Sequence, residues 1–100
     1  MSKMSQYAYL SFVKLSEEGS AKNREYWEKT WFPKHDGVCK KYGVKLLKWG
    51  IAFGTVEELV YVYETDLPLS DYQKFRGDVT GISEERLFAY TKTTIVNCPW

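Results

Sequence analysis

Two segments of this chain alternate tyrosine with aliphatic residues, and that period of two limits the fold more than any other feature. Tyr7 and Tyr9 alternate with Ala8, Leu10 and Phe12, and Tyr61 and Tyr63 alternate with Val60 and Val62. Side chains along a strand point to opposite faces in turn. Each segment therefore reads as a strand with one aliphatic face and one face of hydroxyl-tipped rings. The aliphatic face suits covering helices. The rings are expected on the uncovered side, where a partner subunit or a ligand would meet them.

The other elements complete the order β-α-β-β-α-β. Strand one covers residues 6–15 and ends in the polar stretch 16–20. A long helix is predicted over 21–42, where Arg24, Trp27, Trp31, His35, Val38 and Tyr42 recur at steps of three or four and share one stripe. Lys40 and Lys41 suit the negative end of its dipole, and Gly43 followed by Val44 fits a left-handed cap. Pro33 removes a backbone donor inside this helix, so a kink or restart is expected there. Strand two covers 44–53, the turn 54–58 and strand three 59–65, a hairpin with a short loop. A second helix is expected to start within 68–71, where Ser70 and Gln73 fit a capping box, and to end near 78, with Gly77 and Gly81 breaking it. The last strand covers 86–96.

At 100 residues the chain is one domain, spanning 1–100. Its formal charge is +1, with Lys and Glu interspersed, so no electrostatic footprint for nucleic acid is present. Residues 1–6 are polar and lack an apolar leader, and no run approaches the length of a spanning helix. No membrane role is expected, and the expected location is cytoplasmic. Cys39 and Cys98 form no CxxC pair and read as two reduced thiols. Few Asn, Gln and Met beside many Lys, Glu and Tyr point to a thermophile, a setting in which an intracellular bridge is more frequent.

Two right-handed crossovers around a hairpin give an α+β fold, a ferredoxin-like sandwich with a four-stranded antiparallel sheet and two helices on one face. The uncovered face is expected to hold Tyr7, Tyr9, Tyr61, Tyr63 and Tyr90, with Trp49, Ile51 and Phe53 from strand two. Even half shielded, such rings would expose roughly 600 Å², as much as the largest patch on a typical monomer. A sheet-to-sheet homodimer follows, with the tail 97–100 as an arm over the partner.

A unit of this order and length, with a long first helix and an aromatic sheet face, resembles the dimeric α+β barrel superfamily over almost the whole chain. Within it, Tyr26-Trp27-Glu28-Lys29-Thr30-Trp31-Phe32-Pro33 is similar to the first-helix pattern of EthD-like proteins: Tyr-Trp, three residues, His, one residue, Pro. Tyr26, Trp27 and Pro33 match, and Trp31 stands where that pattern has its histidine. The resemblance implies a site between the helices and the sheet. It does not imply one reaction, because members range from cofactor-free oxygenases and cyclases to domains that only bind or assemble.

His35, the only histidine, is the candidate general base. His35 and Cys39, four apart, could approach one metal, but a tetrahedral site wants three or four protein ligands and only remote Cys98 or nearby Asp36 could add to them, so no metal is expected. No cofactor is expected either. Tyr7, Tyr9, Tyr61 and Tyr63 can stack on an aromatic ligand and orient it through their hydroxyls, and Trp27, Trp31 and Trp49 can wall an apolar pocket. Dimer packing and core formation are the competing roles for these rings. Arg24 heads the helical stripe and can meet an acidic group. Two functions follow: binding or transforming a small hydrophobic, aromatic or polyketide-like molecule, or assembly without chemistry. RNA-recognition domains share the element order, but the basic-Gly-aromatic lead is missing before strand three, which follows Glu57 and Glu58. An acylphosphatase would need a Gly-rich anion loop with arginine after strand one, which is absent.

Overall fold

The computed structural model describes residues 6–97. Cys98, the expected arm and the start of the chain lie outside those residues. Strands β1 (Tyr7–Leu15), β2 (Lys45–Ile51), β3 (Leu59–Thr65) and β4 (Phe88–Asn97) form one antiparallel sheet in the order β2-β3-β1-β4. Three helical segments accompany it: α1 (Glu17–Ala21), a continuous run over 24–42 termed α2, and α3 (Leu69–Thr80). The architecture is α+β, and no described helix is long and apolar enough to cross a membrane.

The long first helix differs from the predicted one in a telling way. Residues 16–20, read as a polar loop, contain α1, whose cap is the Ser16 hydroxyl accepting from the Gly19 amide at 3.1 Å. The helix α2 then starts at Arg24 behind the cap of Asn23 and widens into a π-turn over Trp27–Trp31, before Phe32–Tyr42 resumes α geometry. Pro33 explains the place. It has no N–H for the carbonyl of Lys29, and its ring would press on that carbonyl in a regular helix, so the turn before it opens. At the other end the cap is as expected, with Gly43 at φ 68°.

The second helix starts within the predicted bounds and is closed by Gly81, but its cap and its last turn differ from the expectation. Pro68 is its N-cap and Ser70 already lies in the first turn, with the Tyr72 amide donating to the Pro68 carbonyl at 3.0 Å. Gly77 does not stop it, since Tyr72, Phe75 and Val79 are buried against the sheet and hold the helix on to Thr80.

The sheet faces are the reverse of the expectation. Tyr9, Tyr61 and Tyr63 are at most 1% exposed and lie beneath the helices, with Ser11 and Val13. Tyr9 stacks on Tyr72 with ring centroids 3.8 Å apart, Tyr63 meets Phe75 edge-on, and Tyr61 lies alongside Trp31. The physical reason is area. Rings bury more apolar surface than Ala8, Val60 or Val62, and α2 and α3 offer aromatic stripes to receive them. The Tyr9 hydroxyl is accommodated by the Leu67 carbonyl at 2.6 Å, and that of Tyr63 by His35 at 2.8 Å. The uncovered face instead carries half-buried Ala8, Leu10, Phe12, Val60 and Val62 along its centre. Tyr90 belongs to that face, as predicted, and its hydroxyl donates to Glu57 at 2.5 Å.

Candidate functional site

The π-turn shapes an aromatic-walled hollow. The Phe32 amide donates to the Trp27 carbonyl, five residues back. The wider turn changes the phase of the helix, so that Trp27 and Phe32 line one hollow although five residues span well over one turn at a 3.6-residue period. Both face a cavity of about 390 Å³ that is closed on the sheet side by Leu15, Trp49, Leu59 and Tyr61, with Ile51 at its rim. Trp49 stacks on Phe32 at 4.7 Å although half of its surface is exposed, and Ile51 is 68% exposed. The sequence Lys45–Ile51 folds as an edge strand here, so one flank of these side chains has no neighbouring strand to cover it.

Polar groups at this cavity are few. Arg24 and Glu28 form an exposed pair at 2.5 Å across one turn of α2. The Tyr61 ring lines the cavity, and its hydroxyl is buried without a hydrogen-bond partner. Burial pushes that phenol well above its ordinary pKa, against the opposing pull of Arg76. It is a neutral donor at physiological pH.

Of the residues expected at a ligand site, Trp27, Trp49 and Tyr61 meet at this cavity. Tyr9, Trp31 and Tyr63 are core residues, and Tyr7 leans on Tyr9 at 6.0 Å. Trp31 is the hub of the core, packing against Trp27, Phe32, His35, Tyr61 and Phe88. His35 does not line the cavity; it is 1% exposed, stacked on Trp31 at 4.8 Å and bonded through Nε2 to the Tyr63 hydroxyl. Desolvation first, then the charge of Arg76, lower its pKa to about 4, with Asp36 opposing. The imidazole is neutral at pH 7 and sealed from solvent. Cys39 lies 3.8 Å from His35 Nε2, and burial raises its thiol to about 11, which leaves it unreactive. Among the described residues no cluster of three His, Cys, Asp or Glu side chains is arranged to hold a metal.

Leu15, Glu28, Phe32 and Leu59 are cavity residues that sequence reasoning missed. Only Phe32 carried a signal, its position next to Pro33, and reading it requires knowing that the turn before proline opens. With the tyrosines of β1 and β3 beneath the helices, Phe12 is the ring that the two central strands place on the open sheet face. The sequence matches no family model and no curated protein.

Proposed function

We propose that the chain is a homodimeric, ferredoxin-like α+β barrel protein that binds a small apolar, aromatic molecule between α2 and the β2–β3 hairpin, without a cofactor. The observation that carries this reading is the cavity itself. Its volume of about 390 Å³ falls within the range of small-molecule sites, its walls are rings and aliphatic chains, and one unpartnered phenol borders it. The Tyr61 ring adds to the apolar wall of the cavity on the sheet side. In this reading Trp27, Phe32 and Trp49 hold the ring system, and His35 supports the floor through Trp31.

Isothermal titration with 2-naphthol tests it. Wild-type protein should bind with a negative heat-capacity change, the mark of apolar burial. Trp49→Ala, at a half-exposed position, should weaken binding about tenfold, in line with the loss of an aromatic contact. No heat with the wild type, or equal affinity in the variant, would remove the cavity as a ligand site.

The dimer rests on the uncovered face. Each β-α-β crossover skips one strand, and the order read from the β4 edge is β4-β1-β3-β2, which supports the split β-α-β part of the reading. Such a sheet has one face for helices and one without them. Leu10, Phe12, Val60 and Val62 form an apolar strip on the second, rimmed by Lys48, Lys92 and Thr94, and a second copy packed sheet to sheet would bury it. Sedimentation should give a dimer at micromolar concentration and a monomer for Val62→Lys, whose charge would lie in the middle of the interface. A wild-type monomer would sink the dimer and leave the cavity to stand alone. The same apolar strip favours assembly as a second reading, which the naphthol titration separates from the first.

A further inference from the structure

Away from the aromatic cavity, between α3 and β4, a half-buried cationic side chain has no counter-charge among the described residues. Arg76 leaves α3 towards the sheet, and its Nη2 donates to the Thr91 hydroxyl at 3.1 Å. Its Nε and Nη1 are buried and have no hydrogen-bond partner among the described residues. No described carboxylate pairs with it within 4.0 Å. Guanidinium does not lose its proton in proteins, so burial cannot neutralise this group as it neutralises His35. Its two buried N–H-bearing nitrogens are left needing a partner.

Two hydroxyls nearby are in the same condition. Tyr72 and Ser11 are 1% and 0% exposed, and neither hydroxyl makes a hydrogen bond of good geometry, although the Tyr72 phenol lies close to Ser11 and Thr93. Ser11 and Thr93 are direct partners across β1 and β4. The orphan groups thus come from α3 and β1 and lie beside Thr91 and Thr93 of β4. Beside it opens a cleft of about 310 Å³ lined by Tyr72, Gln73, Arg76, Thr80, Thr91 and Thr93, with Leu69 and Gly77 at its apolar edge.

We propose that the cleft between α3 and β4 binds the carboxylate of a small organic acid on Arg76. Arg76 is the single charged residue of the lining, so it balances one negative charge and leaves a phosphate dianion half unmatched. The donor set agrees: guanidinium N–H groups for the oxygens, hydroxyls of Tyr72, Thr91 and Thr93 around them, and Leu69 for the hydrocarbon part. The site is separate from the aromatic cavity and does not depend on it.

The probes are sodium benzoate and sodium phosphate at matched ionic strength, with chloride as the balancing salt. In the wild type, benzoate should shift the Arg76 Nε–Hε resonance saturably and raise the thermal midpoint, while phosphate at equal concentration should do neither. Arg76→Met should weaken benzoate binding about tenfold or more, the loss expected for a charge-assisted contact. Tyr72→Phe should weaken it less. Saturating 2-naphthol should leave benzoate affinity unchanged, which separates this site from the one proposed above. An Arg76 resonance unmoved by benzoate means that water alone fills the cleft, and the proposal falls. Tighter binding of phosphate, displacement of benzoate by naphthol, or full binding in Arg76→Met would overturn it equally. Should Arg76→Met fail to fold, the wild-type resonance titration decides alone.

Discussion

A protein carrying Gly19→Ala should be less stable by about 3 kcal/mol or more, at the upper end of overpacking costs. A Cβ on Gly19 would stand 2.1 Å from the Leu87 carbonyl oxygen and 3.0 Å from its carbon. Those atoms belong to backbone, so no side chain can swing away to make room. Movement of the carbonyl is resisted as well, because it accepts the Ser16 amide at 2.9 Å, and the Ser16 hydroxyl bonds to Arg86 next to it. Leu87 itself is 3% exposed. The clash therefore spreads into the start of β4. Gly37→Ala is the control, since a Cβ at that exposed position of α2 meets nothing within 4 Å. There alanine should add about 0.5–1 kcal/mol through helix propensity. Urea unfolding of the two variants against wild type measures both, and a Gly19→Ala protein of wild-type stability would show that α1 does not pack on Leu87.

Stability should also fall steeply with acid, at a pH set by one residue. The folded pKa of His35 is lowered from 6.5 to about 4, so below pH 6.5 the unfolded chain takes up a proton that the folded chain refuses. Protonation then favours unfolding. The contribution is fully present above pH 6.5, shrinks as the pH falls, and is exhausted near the folded value of about 4. Integrated over that window the loss is about 3 kcal/mol. The carboxylates that bear on the same curve act lower down. Glu57, held by Thr55 and Tyr90, and Asp78, held by Tyr42 and Lys41, are shifted downward, and what they contribute is lost as the pH falls through their ordinary values of 4.5 and 3.8. Because the chain has a single histidine, the interval from pH 6.5 to about 5.5, above the range in which Glu57 titrates, reports His35. Denaturant unfolding of wild type and His35→Gln from pH 8 to about 5.5 should show a slope in the first and a much smaller one in the second. Equal slopes would mean that His35 is wet in the folded protein.

Both effects arise where tertiary contacts, rather than local pattern, set the environment. His35 is on the stripe predicted for α2, and the stripe is correct. Its partners Tyr63 and Trp31 also stand in the sequence as core-sized rings. What the sequence lacked was the face of β3 that meets α2. A period of two establishes that Tyr61 and Tyr63 share a side and leaves open which side receives the helices. Both sides were apolar enough to be covered. The decision fell to the helices, whose Trp31, Tyr72 and Phe75 match rings better than valines.

The aromatic cavity shows the same division at the scale of one turn. Pro33 signalled a disturbance, and Trp27, Trp49 and Tyr61 were picked out as ring residues. The placing of Phe32 and Trp27 at one cavity required the π-turn, which shifts the phase of the helix between Trp27 and Trp31. Arg76 left no trace in the pattern at all. In the segment Arg76-Gly77-Asp78 it stands near the predicted helix end, and only the packing of α3 on the sheet brings it to Thr91.

Taken alone, the sequence determined the number and order of the strands, the cap at Gly43, the disturbance at Pro33 and the sharing of a face by alternate residues, because these depend on dihedral preference and spacing within a few positions. Tertiary structure decided which sheet face was sealed, which rings bordered a hollow and where an uncompensated charge came to lie. Those outcomes compare one packing with another across the whole molecule, and the free-energy difference between packings is a sum over contacts that no local window contains.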